Sequence, residues 1–386
     1  MIIEQRFTIN YHYNIHFITD VFNVDNKTFS DIVASHSGKG FSPSFLFVID
    51  SNVNIRHPQL QAAIDSYLSV NIPGSPAAHF LIIPGGERAK ENDEAFQAIL
   101  NTIDQFNIDR HSFVIAIGGG AVCDATGFAA TVAHRGIKLI RIPTTTLAQN
   151  DAAIGVKNGI NAFGKKNFLG SFSPPIAVIN DRRFLETLSR RTWISGISEA
   201  IKVALIKDAA FFNKIEQLAP ALAERNEAAM QETIIECARL HLEHIASGDP
   251  FESGSSRPLD FGHWSAHKLE HMSNYMLLHG EAVSIGIALD CTYANMMGYL
   301  STQALDKILD LLSGMGLPVS HPLLNHTEEL LRGLDEFRAH LGGVLTIPLL
   351  NDIGLARNVS VIDAQTMQQA AKKLATISQS NPLVIS

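Results

Sequence analysis

The stretch Ser112–Asp124, SFVIAIGGGAVCD, decides how the fold is read. Its first six residues form a β-favouring run without polar alternation, which predicts a strand buried on both faces. Gly118, Gly119 and Gly120 follow at once, and a helical pattern begins behind them. Three glycines let the backbone turn sharply and approach a ligand without Cβ clashes. A helix starting there directs unpaired N–H groups and the positive end of its dipole at an anion, typically a pyrophosphate. The same run also serves as a ligand-free strand-to-helix turn. It is not a GxGxxG fingerprint, so a standard dinucleotide site does not follow from it alone.

Working outward, Phe45–Asp50 (FLFVID), Phe80–Ile83, Leu139–Ile142 and Ile176–Ile179 read as further strands. Amphipathic segments such as Pro58–Leu68 and Asn92–Ile103 lie between them. Strands alternating with helices predict βαβ units and a mostly parallel sheet. Two strand ends reinforce a nucleotide crevice: Asp50 closes FLFVID, where a carboxylate suits a ribose, and Pro84–Lys90 (PGGERAK) makes another glycine turn. Asp50 taken alone is as well explained as a helix cap. Beyond about Asp181 the pattern becomes helical over Ile197–Asp208, Ala209–Ala223, Asn226–Ala246, His263–Tyr275, Glu281–Met297 and Thr302–Gly314. One β-like stretch, Val344–Leu349, interrupts it. The expected fold is an α/β, Rossmann-like N-terminal domain over residues 1–182 followed by a mainly α-helical C-terminal domain over 183–386. Clefts between domains are common ligand sites.

The 386 residues suffice for two domains, each with its own core. A net charge of −8 disfavours non-specific binding to nucleic acid or anionic lipid, so neither is expected as a partner. Residues Met1–Asn10 lack the apolar core of a signal peptide, and no apolar run reaches membrane-spanning length. Cys123, Cys237 and Cys291 show no paired spacing, which fits a reducing compartment. A cytoplasmic location is the expectation.

Six of the 16 histidines fall between His241 and His279. His263 and His267 are four apart and share a helix face. His279 opens the segment HGE, and Glu199 sits in GISEAIK at the head of an apolar helix. Neutral imidazoles and a carboxylate suit Zn²⁺ with a coordination position left for substrate. His241, His244 and His271 read as structural or solvated. The segment HWSAH has the histidine spacing of a zinc peptidase helix, but Trp264 stands where that chemistry needs glutamate, so a peptidase is excluded.

These residues resemble the dehydroquinate synthase superfamily of sugar phosphate cyclases. The matching blocks are GGGAVCDATGFAATVAHRG (118–136), IPTTTLAQNDAAIGVKNGINAFGKKNFLG (142–170), LETLSRRTWISGISEAIK (185–202), LDFGHWSAHKLE (259–270) and HGEAVSIGIALD (279–290). The resemblance implies an α/β nucleotide-binding domain, a helical domain, an active site between them and a homodimer. It implies Glu199, His263 and His279 as ligands of Zn²⁺ or Co²⁺. For NAD it implies Asp50, Asn52, Glu87, Lys90, Gly119, Gly120, Asp124, Thr144, Thr145, Lys166, Phe184 and Thr187. Substrate groups would be Asp151, Lys157, Asn167, Lys202 and His267, with Arg135 reaching the phosphate of the neighbouring subunit's substrate. The implied reaction on a sugar phosphate is transient oxidation of a ring hydroxyl, β-elimination of phosphate, re-reduction, ring opening and an intramolecular aldol closure.

The sequence departs from dehydroquinate synthase at several substrate positions. The family's arginine before the FGH motif falls on Ser256, with Arg257 one place later; its asparagine before FGH is Asp260. The substrate lysine of the preceding helix falls on Leu242, beside His241, and a late lysine falls on Asn351. Removing one partner of a buried charge pair costs about 2–5 kcal/mol. A substrate carboxylate would therefore bind poorly here unless Arg257 compensates. The expectation is a carboxylate-free heptulose phosphate, sedoheptulose 7-phosphate, converted to a valiolone-type cyclitol, the branch that LDFGHWSAHKLE resembles more. The alternatives are 3-dehydroquinate synthase itself, acting on 3-deoxy-arabino-heptulosonate 7-phosphate, and a metal-dependent polyol dehydrogenase, whose metal carboxylate would ordinarily be aspartate. An inactive nucleotide-binding scaffold should have lost one of Glu199, His263, His279 or Lys157, and none is missing.

Overall fold

A computed structural model of the chain describes residues 1–38, 42–74, 78–91, 93–247, 250–251 and 258–380. The chain divides into two compact units, one of Met1–Thr144 and Ala153–Thr187, the other of Thr145–Ala152 and Leu188 onward. The first unit thus gives a short segment to the second and takes the chain back at Ala153.

The first unit is built on a parallel sheet of six strands: β1 (Asn14–Ile18), β2 (Phe45–Asp50), β3 (Ala78–Ile83), β4 (Phe113–Gly118), β5 (Lys138–Pro143) and, after a β6–β7 hairpin (Lys157–Ala162 and Lys165–Phe172), β8 (Ala177–Asp181). Their spatial order is β1-β8-β5-β4-β2-β3. Chain connections leave β2 and β4 in opposite directions, so the crevice at their C-terminal ends is the topological switch point where open α/β sheets bind ligands. The apolar run of the glycine-turn segment is β4, buried along its length, as expected of a strand covered on both faces. Phe29, Phe45, Phe47, Phe113 and Tyr67 stack on one side of the sheet as an aromatic core. All five strands expected from the sequence are present. β1 and the hairpin are additions.

The second unit is mainly helical. Helices span Ile197–Lys207, Ala209–Ala223, Glu227–Ala246, His263–Met272, His279–Met296 and Thr302–Gly314. The sequence also misses Thr327–His340 and Ala364–Ser380. The β-like stretch expected at Val344–Leu349 is shifted: β9 runs Ile347–Asp352 and pairs antiparallel with β10 (Leu355–Val359). No helix among the described residues is long and apolar enough to cross a membrane.

Candidate active site and metal centre

In the first unit, β4 ends at Gly118 and the helix Gly120–Val132 starts at once, with Gly119 as its N-cap in extended geometry. The backbone N–H of Thr144 donates to Gly118 O at 2.9 Å, tying the ends of β4 and β5 together at the glycine turn. Asp50, at the neighbouring end of β2, accepts from the Asn52 N–H at 2.8 Å. It caps the short helix that follows, the role its position alone suggested. Burial pushes its carboxyl upward in pKa, opposed by hydrogen bonds from Asn52, Val53 and Gly119. Gly85 is required beside it: a Cβ there would lie 2.7 Å from Asn52 Nδ2 and nearer still to the Asp50 carboxylate.

Several other candidate nucleotide residues are brought together. Lys90, buried, donates to Asp124 Oδ2 at 2.8 Å and also to Asn167 Oδ1. Lys166 pairs with Glu87 at 3.0 Å. Thr187 Oγ1 lies 2.9 Å from His57 Nε2, and the His57 ring stands edge-on to Phe184 at 5.1 Å. Sequence reasoning missed His57, because nothing in the order of residues ties it to a position 130 places later. Thr145 and the family-implied substrate residue Asp151 belong to the segment grouped with the second unit, whereas Lys157 and Asn167 stay in the first, on the β6–β7 hairpin. Lys157 is exposed at the start of β6, and Arg135 is exposed in a turn where it and His134 both take positive φ.

In the second unit, Glu199 lies in the first turn of the Ile197–Lys207 helix, His263 opens its helix at a left-handed Gly262 (φ +75°), and His279 opens the next. Gly262 admits no side chain, because a Cβ would meet Ile287 N at 2.9 Å. The three elements converge. Glu199 Oε1 is 3.5 Å from His263 Nε2 and 3.5 Å from His279 Nε2. Ligands at ~2.0–2.1 Å from one tetrahedral ion stand ~3.3–3.4 Å apart, so this separation is that of neighbours on a shared cation. It is long for a hydrogen bond, and Glu199 Oε1 is buried with no hydrogen-bond partner among the described residues. A buried carboxylate oxygen left facing two imidazole nitrogens fits a divalent ion better than it fits a protein-only network.

Lys202, one turn along from Glu199 and buried, pairs with Glu199 Oε2 and stands 3.7 Å from Asp151 Oδ2. Burial opposes its charge, but Glu199, Asp151 and Asp260 outweigh that and raise its pKa. For Glu199 the same balance runs the other way: burial is overcome by Lys202 and the two imidazoles, which hold it ionised. Asp151 sits in a wide single helical turn, Ala148–Ala152, anchored by Asn150 Nδ2 donating to Gly196 O at 2.7 Å. Its other oxygen lies 2.6 Å from His241 Nδ1. His241 is therefore part of this cluster, contrary to its reading as a structural or solvated histidine. His267 completes a trio of imidazoles, its ring centroid 5.5 Å from His263 and 5.9 Å from His279. Asn351 is exposed on β9, while Ser256 and Arg257 lie outside the described residues.

A parallel α/β unit with a glycine turn at its switch point, followed by a mainly helical unit, is an architecture found among solved structures. A solved 2-deoxy-scyllo-inosose synthase has this fold, with a TM-score of 0.77 at 23% identity over 93% of this chain and 96% of its own. The family itself is set by sequence. Residues 80–195 match the 3-dehydroquinate synthase N-terminal model and residues 196–336 the C-terminal one. The 3-dehydroquinate synthase of Coxiella burnetii is 37% identical over 276 residues, 71% of this chain and 76% of that protein. The chain belongs to the 3-dehydroquinate synthase family. A 2-epi-5-epi-valiolone synthase from Streptomyces hygroscopicus subsp. jinggangensis, solved with NAD⁺ and Zn²⁺ bound, is 29% identical with a TM-score of 0.86, covering 97% of this chain and 99% of its own.

Proposed function

We propose that this cyclase takes a carboxylate-free heptulose phosphate, sedoheptulose 7-phosphate, and closes it to a valiolone-type cyclitol with release of inorganic phosphate. The observation that carries this reading is the charge around Lys202. One ammonium faces Glu199, Asp151 and Asp260, and the position of the family's helix lysine is Leu242. A substrate carboxylate brought here would meet anions with too few cations to hold it. A hydroxymethyl group needs no such clamp, and the His241–Asp151 pair offers it a donor and an acceptor. The near end-to-end similarity to the valiolone synthase points the same way.

In this reading residues 1–182, with Phe184 and Thr187 just beyond them, hold NAD, residues 183–386 hold the ion, and substrate contacts come from both stretches. Glu199, His263 and His279 are the ligands of Zn²⁺ or Co²⁺. Gly119 and Gly120 would hold the nucleotide pyrophosphate, with Asp50, Asn52, Glu87, Lys90, Asp124, Thr144, Thr145, Lys166, Phe184 and Thr187 completing its site. When bound, the nicotinamide supplies a transient hydride acceptor and the ion a Lewis acid for the reacting oxygen, so the turnover has no net redox change. Lys202 places a permanent charge beside the reacting carbon–oxygen group, while Lys157 and Asn167 bind the sugar from the hairpin. His267 donates to the phosphate and assists proton transfer. The active form is a homodimer in which exposed Arg135 reaches the partner's substrate phosphate.

Incubation with NAD⁺, Zn²⁺ or Co²⁺ and each candidate sugar phosphate tests this, with phosphate release measured and the product identified by NMR. Sedoheptulose 7-phosphate should turn over to a carbocycle with no build-up of NADH. A second reading, 3-dehydroquinate synthase itself, is favoured by the names of the 37%-identical relatives. Faster phosphate release from 3-deoxy-arabino-heptulosonate 7-phosphate would establish it and overturn the first. Steady NADH accumulation from a simple polyol would instead indicate a dehydrogenase.

A further inference from the structure

The helix His263–Met272 carries His263, His267 and Glu270 at spacings of four and three residues, one stripe along a single face. Glu270 is almost wholly buried, and its Oε2 lies 3.1 Å from His279 Nδ1. A carboxylate can only accept, so the imidazole donates: the proton is on Nδ1, and the Nε2 lone pair is left facing Glu199 Oε1. His263 reaches the same tautomer by another route, its Nδ1 lying 3.0 Å from the carbonyl oxygen of Phe261. The two imidazoles are thus held by unlike partners, a full negative charge behind His279 and a neutral backbone dipole behind His263.

We propose that Glu270 is a positioning residue for the metal centre: it fixes the His279 tautomer and ring orientation and makes His279 the stronger electron donor of the two imidazoles. Charge behind an imidazole raises the basicity of its far nitrogen, and such outer partners change metal affinity by about 10–100-fold. The two roles on one helix also couple the ligands. His263 and the residue that orients His279 move as one rigid stripe, so the ion senses the placement of this helix through two of its three ligands.

This inference rests on the metal-centre reading above, and its test separates the two. Chelator-stripped full-length protein is titrated with Zn²⁺ against a chromophoric competitor and, separately, with Co²⁺ while its visible d–d absorption is recorded. Glu270→Ala should weaken Zn²⁺ binding by about 10–100-fold and shift the Co²⁺ bands. The isosteric Glu270→Gln keeps an acceptor but loses the charge, so it should weaken binding less and shift the bands in the same direction. Far-UV circular dichroism of the metal-free variants should match the unaltered chain. If Glu270→Ala fails to fold, Glu270→Gln alone decides, and an affinity and Co²⁺ spectrum equal to those of the unaltered chain overturn the proposal. Absence of stoichiometric binding by the unaltered chain would overturn the metal centre itself.

Discussion

Arg141 and Lys202 are both buried cations, one in each unit, and their surroundings differ in kind. Arg141, on β5, donates to Ala153 O at 2.9 Å, Gly155 O at 2.8 Å, Lys157 O at 2.9 Å and Asn158 Oδ1 at 2.6 Å. These partners are neutral dipoles, and they fix the stretch where the chain returns to the first unit and starts β6. Lys202 sits instead among carboxylates, one of which keeps a buried oxygen without a hydrogen bond. Four acceptors on neutral groups share the Arg141 charge through its two terminal nitrogens, although Nε is buried without a hydrogen-bond partner among the described residues. A buried anion with an unfilled oxygen and two imidazoles beside it suits a divalent cation. The first arrangement serves the scaffold, and the second fits the proposed metal site.

The contrast is broken most forcefully by removing each cation in turn. Arg141→Met leaves three carbonyl groups and an amide oxygen without their donor, at about 1–3 kcal/mol each. The expected loss is on the order of 5 kcal/mol or more, enough to unfold a domain of ordinary stability. Urea melts should show this loss equally with and without divalent ions. Lys202→Met should also destabilise the metal-free protein, by roughly 3–5 kcal/mol, because Glu199 is left buried without its partner. There Zn²⁺ should recover much of the loss, since a bound cation neutralises the same carboxylate. Equal rescue of both variants, or of neither, would erase the distinction.

The two kinds of network also differ in how far they can be read from sequence. The parallel sheet is legible because its strands are unbroken apolar runs, and the glycine turn is legible because the run ends in it. β1 is not, since NIHFI is short and carries a histidine at the sheet edge. The hairpin over KNGINA and KKNFLGSF hides among glycines and lysines. The Thr327–His340 helix has Gly333 at its centre, which weakens the local signal but is demanded by packing, because a Cβ there would lie 3.0 Å from Lys268 Cβ. In the site, residue types and spacing offer Glu199, His263, His267 and His279 as candidate ligands, and only the family resemblance narrows these to Glu199, His263 and His279. What sequence order does not carry is who stands behind them: His241 on Asp151, Glu270 on His279 and Asp290 under Gly262 are tertiary contacts between residues 9 to 90 places apart.

Asp290 sharpens the comparison because it is a buried anion whose two oxygens are both filled. Oδ1 accepts from Trp264 Nε1 at 2.9 Å and Oδ2 from the Gly262 N–H at 3.1 Å, which braces the turn that presents His263. Burial pushes its pKa from 3.8 up to about 7, against the pull of these two bonds. The folded chain then holds a proton that the unfolded chain releases. The contribution favours folding below about pH 4 and is lost as pH rises through about 7. The expected change is roughly 2–4 kcal/mol across that window. Chemical denaturation of the metal-free protein at several pH values should show the decline, and Asp290→Asn, which cannot titrate, should flatten it at the price of a pH-independent offset. Parallel pH profiles for the two proteins would remove Asp290 from the account.

The smallest effect is expected where a single neutral contact is removed from the first unit. Thr187 Oγ1 and His57 Nε2 are partners at 2.9 Å, and both are half-buried rather than sealed in the core. Thr187→Val keeps the shape and deletes the hydroxyl, so folding stability should fall by no more than about 1 kcal/mol. If the hydroxyl also serves the nucleotide, NAD⁺ affinity measured by calorimetry should drop a few-fold. Zn²⁺ affinity should stay where it was, because all three proposed ligands, Glu199, His263 and His279, belong to the other unit. A variant that weakens the ion together with the nucleotide would mean that the two units do not divide the cofactors between them. The contrast drawn from Arg141 and Lys202 would then have to be replaced by a single coupled network.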